Sequence, residues 1–210
     1  MSRAYYSDSI AGFLASDADQ ILGSLTRQST FAMEMTQRDA WLGQISILKT
    51  TLAENQKQGQ IYFEYALPRL GKRIDVLVLW GHVVFVLEFK VGEQQFLSTA
   101  KDQVWDYAVD LKNFHETSHD KAVAPILIAT RAASVITEIA TSPRDDGVLQ
   151  PIMATPDDLR SVIAQVLEFC EGETIDSDVW ADGGYHPTPT IVEAAMALYN
   201  GHGVADISRS

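Results

Sequence analysis

The first sustained apolar face along the chain is Trp41, Ile45, Leu48 and Leu52, spaced three or four apart from Thr36 onward. That period predicts an amphipathic helix, stopped by residues 55–59. Ahead of it Ile10, Phe13, Leu14, Ile21, Leu22 and Leu25 stand at helix-compatible spacings, with Gly23 as the expected break. Residues 1–35 therefore read as an irregular or partly helical arm. Three strands follow over residues 61–67, 72–80 and 83–90, separated by residues 68–71 and by Gly81-His82. Connections this short allow only antiparallel hairpins. The second and third strands are almost wholly apolar, so both of their faces must be covered. Helical periodicity returns over residues 96–114, a continuous apolar strand fits 123–130, and a short one fits 148–154. Thr155 reads as a helix cap, with Pro156 at the first position and Asp158 three residues on. An acidic linker with Gly and Pro over 171–189 leads to Thr190 and Glu193, a capping box for a last helix ending near Gly201. The expected order is αβββαβ with a βα extension and a terminal helix: an α/β fold with a mixed central sheet. Its core spans 36–170 and its tail 171–210.

Composition narrows the class. The 210 residues are 46% hydrophobic and 21% charged, enough apolar material for one good-sized core. The single cysteine, Cys170, allows neither an internal disulfide nor a Cys-ligated zinc or iron–sulfur site built from this chain alone. The first residues lack a signal peptide's apolar run, and no stretch approaches the length needed to cross a bilayer, so the expected home is the cytoplasm, away from membranes. A net charge of −12 runs against a nucleic-acid ligand, yet it is unevenly spread. Residues 122–210 carry four Lys/Arg against thirteen Asp/Glu, whereas residues 61–121 carry seven against nine. Arg69, Lys72, Arg73 and Lys90 fall in that more balanced stretch, and the first three are the expected phosphate contacts.

Charges inside apolar strands need a reason. In Glu88-Phe89-Lys90 the two charged side chains share one face of a strand and Phe89 takes the other. If Gly81-His82 is a type II′ turn, Trp80 pairs with Val83, and counting back sets Asp75 opposite Glu88, with Cβ atoms about 5 Å apart. Two buried like charges raise each other's pKa and cost several kcal/mol, a cost that a divalent cation removes. Oxygen ligands of this kind suit Mg²⁺ or Mn²⁺, and the Phe89 carbonyl is a further candidate ligand. Lys90 is placed to orient a water or to stabilise a pentacovalent transition state, so the trio points to phosphodiester hydrolysis. The alternative is a structural ion pair at a strand end.

Asp75 followed by Glu88-x-Lys90, on the second and third strands of an αβββαβ unit, resembles the restriction-endonuclease-like PD-(D/E)XK nuclease superfamily. Ile74 stands where that motif nominally has proline. Gln103-Val-Trp-Asp-Tyr107 is similar to the QxxxY signature of the RecB-type exonuclease branch, and a spacing of four puts Gln103 and Tyr107 on one helix face. The first helix of such nucleases often offers a Glu or Gln to the site; Gln44 matches, with Glu34 and Glu64 as weaker candidates, and a solvated amide is the alternative for Gln44. The whole chain also resembles the amino-terminal region of bacterial schlafen-like DNA/RNA helicases, through Arg3-Ala-Tyr-Tyr-Ser, Tyr62-Phe-Glu-Tyr, Gly71-Lys-Arg-Ile-Asp, Leu87-Glu-Phe-Lys-Val-Gly, Gln103-Val-Trp-Asp-Tyr-Ala and Leu111-Lys-Asn-Phe-His. That resemblance implies a Mg²⁺- or Mn²⁺-dependent nuclease acting on DNA or RNA beside a helicase, in nucleic-acid processing or antiviral defence. No P-loop motif occurs in these residues, so ATP hydrolysis is not assigned to them. A homo-oligomer is compatible with this reading.

Two other functions compete. The fold can persist as a docking module for nucleic acid or protein without cleavage. His115-Glu116-Thr117-Ser118-His119 matches the H-E-x-x-H zinc-peptidase signature, which needs both histidines on one helix and a third ligand. Here it falls where the helix is expected to end. Trp41, Trp80, Trp105 and Phe114 read as core, while Tyr5 and Tyr6 are open to docking on the domain or on a partner.

Overall fold

The computed structural model describes residues 3–29, 35–53, 58–143 and 146–185. Glu34 and the expected final helix with Thr190, Glu193 and Gly201 lie outside the described residues. Six strands form one mixed sheet in sequence order: β1 (Tyr6–Ser9), β2 (Gln60–Leu67), β3 (Lys72–Trp80), β4 (Val83–Lys90), β5 (Ala122–Ala129) and β6 (Ile152–Ala154). Neighbours from β1 to β4 are antiparallel, and β4–β5 and β5–β6 are parallel. The helices are α1 (Ile10–Ala15), α2 (Ala18–Gln28), α3 (Met35–Leu52), α4 (Ser98–Phe114), α5 (Leu159–Phe169) and α6 (Ser177–Asp182). None of the described helices is long and apolar enough to cross a membrane.

The sheet separates two apolar layers. On one face Phe63, Val76, Val78, Phe85 and Leu87 pack with Phe13, Ile21, Leu25, Trp41, Ile45 and Leu48, from α1, α2 and α3, and with Ile163 of α5. On the other, Tyr65, Ile74, Leu77, Val84 and Val86 pack with Val104, Ala108 and Leu111 of α4 and with Trp180 of α6. A sheet buried on both faces explains why β3 and β4 lack the usual alternation of apolar and polar residues.

The expected strands β2 to β4 form within a residue of the expected bounds. Gly81 has φ 58° while His82 is not among the residues with positive φ, the signature of the type II′ turn, and Trp80 pairs with Val83 as counted. Elsewhere the chain departs from expectation. Residues read as an arm supply an edge strand and two helices, with Ile10, Phe13, Ile21, Leu22 and Leu25 buried. Gly23 lies inside α2, where nothing crowds it, and the break falls at Ser16-Asp17, whose carboxylate caps the next helix. Thr155 opens a turn rather than a helix: its N–H and hydroxyl both donate to Asp158, and α5 begins at Leu159. The expected linker contains α6, anchored by Ile175 and Trp180.

Candidate active site

Backbone pairing of β3 with β4 ends at Val76↔Leu87, whereas β4 stays paired with β5 as far as Lys90↔Ala129. The next residues in the β3–β4 register are Asp75 and Glu88, so the two acids stand where the strands part. The Asp75 carboxylate takes over the missing ladder bond, accepting from the Phe89 N–H at 2.8 Å. Successive residues of a strand direct their N–H and C=O groups to opposite edges. Phe89 turns its N–H to Asp75, and the Lys90 carbonyl accepts from Thr130 on the β5 side. The Phe89 carbonyl therefore faces the Asp75 side, as a ligand there requires.

Lys90 Nζ donates to Glu88 Oε1 at 2.8 Å and to Gln103 Oε1 at 3.0 Å, which leaves one of its three donors for a ligand. The Gln103 amide nitrogen donates to the same Glu88 oxygen at 2.8 Å and to the Tyr107 hydroxyl at 2.9 Å. The structure thus joins Glu88, Lys90, Gln103 and Tyr107 in one network, with the helical pair 103/107 above the strand pair 88/90. Glu88 is 3% exposed, and its Oε2 is buried without a partner.

Burial and the facing Glu88 push the Asp75 carboxyl well above its ordinary range, and the Phe89 N–H only partly offsets this. Glu88 is raised by burial as well, against the pull of Lys90. Both groups are short of positive charge. An orphaned carboxylate oxygen and two acids held above their usual pKa are the donor set that a hard divalent cation satisfies. Among the described residues no three His, Cys, Asp or Glu side chains converge to hold a metal by themselves. Such a cation would therefore rest on Asp75, Glu88, the Phe89 carbonyl and water.

The remaining candidates divide. Gln44 is buried on the inner face of α3 with its Oε1 unpartnered and makes no hydrogen bond to the trio. Arg69 is committed to Asp110 of α4 at 2.7 Å and lies over the Phe114 ring. Arg73 donates to the backbone carbonyl of Glu64 and stacks on Tyr5, so Tyr5 docks on the domain, as does Tyr6 against Phe63. Both arginines are engaged within the fold, and of the three cations expected at phosphates Arg69 and Lys72 are exposed while Arg73 is half-buried. The H-E-x-x-H geometry is not formed. His115 ends α4, residues 116–118 are a 3-10 turn, His115 is fully buried against Trp180, and His119 bonds the Asn113 carbonyl.

Glu64, a weaker candidate from the sequence, stands out by its backbone. It has φ 53°, the one positive value among the described non-glycine residues, in the middle of β2. That conformation costs on the order of 1–2 kcal/mol. It reverses the strand's facing: Ile61 and Phe63 belong to the α3 layer, whereas Tyr65 and Leu67 belong to the α4 layer. Across from it β3 changes facing too, between Ile74 and Val76, at Asp75. A left-handed glutamate has no signature in sequence, because the residue expected there is glycine. The chain matches no protein-family model and no curated protein.

Proposed function

We propose that the chain is a metal-dependent nuclease domain of the PD-(D/E)XK kind, with a restriction-endonuclease-like core spanning α3 to β5. The observation that carries this reading is the pair of carboxylates at the β3–β4 opening, Glu88 buried with an unpartnered oxygen and Asp75 half-buried, beside a lysine with a donor to spare. Buried acids without compensation are costly; the Lys90 ion pair accounts for Glu88 Oε1 and the Phe89 N–H for Asp75 Oδ2, but Glu88 Oε2 is left unpartnered. Bound Mg²⁺ or Mn²⁺ supplies an acidified water and offsets the charge of a phosphodiester. Asp75, Glu88 and the Phe89 carbonyl hold the ion. Lys90 donates its remaining N–H to the nucleophile or to a phosphate oxygen as negative charge builds in the transition state. Gln103 fixes both Lys90 and Glu88, and Tyr107 fixes Gln103. The substrate is DNA or RNA, and the resemblance to helicase amino-terminal regions supports a helicase as partner in nucleic-acid processing or defence.

A second reading, a non-cleaving docking module, draws on the internal commitment of Arg69 and Arg73, which leaves little basic surface on a chain of charge −12. One comparison separates the two: single- and double-stranded DNA with Mg²⁺ or Mn²⁺, for the parent chain, Asp75→Ala and Lys90→Ala. The nuclease reading expects chelator-sensitive cleavage that falls at least roughly 100-fold in both variants. Metal-independent binding without cleavage in all three proteins selects the docking module.

A further inference from the structure

We infer that Glu64 is a positioning residue for the cation of this site, its carboxylate accepting hydrogen bonds from water in the ion's hydration shell and so holding the ion on Asp75 and Glu88. This rests on the nuclease reading above. Phe63↔Val76 and Tyr65↔Ile74 flank Glu64 and Asp75 in register, so Glu64, Asp75 and Glu88 occupy one row across three adjacent strands. Like charges side by side in a sheet oppose its formation. The row contains a buried, unpartnered oxygen, Glu88 Oε2.

Among the described residues Glu64 does not join the two acids in a three-carboxylate cage, so the role inferred for it runs through water. Mg²⁺ keeps several waters when protein supplies only one or two carboxylates, and those waters need acceptors. Trp41 Nε1 donates to Glu64 Oε1 at 2.9 Å and fixes the carboxylate's direction from the α3 side. Trp41 is itself 2% exposed, so this donor is rigidly held. A glycine would adopt the left-handed backbone without strain. What glycine lacks is the carboxylate.

The test is Mn²⁺ binding by the full chain, followed by the electron paramagnetic resonance of the free ion, with thermal unfolding recorded in parallel. Glu64→Gln keeps an acceptor for Trp41 and removes the charge; Trp41→Phe keeps the ring and removes the donor; Asp75→Asn is the reference. The parent chain is expected to bind Mn²⁺ saturably, Asp75→Asn to lose binding, and Glu64→Gln to bind roughly 10–100-fold more weakly. Trp41→Phe shifts binding in the same direction by less. A merely structural Glu64 moves the unfolding temperature and not the affinity. Parent-like binding in both Glu64→Gln and Trp41→Phe, with loss in Asp75→Asn, overturns the role of Glu64 and leaves the nuclease reading standing. Absence of Mn²⁺ binding in the parent chain overturns both. Where Glu64→Gln does not fold, Trp41→Phe decides.

Discussion

His115 shows how a single burial event becomes a property of the whole chain. Its ring is fully buried, 4.3 Å from that of Trp180, with Nδ1 against the Ser118 hydroxyl, and burial, aided by the nearby Arg3 charge, pushes its pKa down to about 4. The unfolded chain binds this proton below about pH 6.5, whereas the folded chain resists it until about pH 4. The contribution is therefore fully present above pH 6.5 and is lost as pH falls toward 4, amounting to up to about 3 kcal/mol. Urea unfolding at several pH values from 4 to 7.5 is expected to show a flatter acid limb for His115→Gln than for the parent; parallel limbs would contradict the assignment. At the same scale, Asp75, Glu88 and Lys90 were legible in sequence because strand geometry fixes which residues share a face. Arg69 and Arg73 were not, since Asp110, Phe114 and Tyr5, which engage them, are brought close only by tertiary packing.

Elements differ in how far their own residues determine them. Strands β2 to β4 are long, apolar and separated by turns of defined chemistry, so their bounds and register followed from sequence. Strand β1 has four residues, Tyr-Ser-Asp-Ser, with almost no β preference of their own; it exists because β2 offers an open edge. Helix α6 is set in acidic chain and has a single large anchor, and one apolar residue has no period to detect. That anchor packs against Tyr62, Tyr65 and His115, and its indole N–H donates to Ser118. Trp180→Ala is expected to cost about 3–5 kcal/mol in chemical denaturation. A loss below about 1 kcal/mol would mean that α6 does not hold down the α4 layer. Helix α4 has a second tie, from Arg69 in the β2–β3 turn to buried Asp110, which fixes the helix carrying Gln103 and Tyr107 over β4.

For the molecule as a whole, the sheet does two jobs at once. Its centre is sealed on both faces, and the row of Asp75 and Glu88 lies where β3 leaves β4, half-buried at Asp75 and closed over Glu88 by α4. The strong negative charge of the chain is an obstacle to polyanion binding, and Lys90 offsets it only locally. The α/β class and the strands β2 to β4 could be read from periodicity, but the edge strand β1, helix α6 and the bend at Glu64 and Asp75 could not. A nuclease at this opening needs a divalent ion on two acids and a carbonyl. Anomalous diffraction from crystals equilibrated with Mn²⁺ is expected to show a peak about 2.0–2.3 Å from a carboxylate oxygen of Asp75, from Glu88 Oε2 and from the Phe89 carbonyl. A peak elsewhere, or none with the Lys90–Glu88 pair undisturbed, would contradict the nuclease reading.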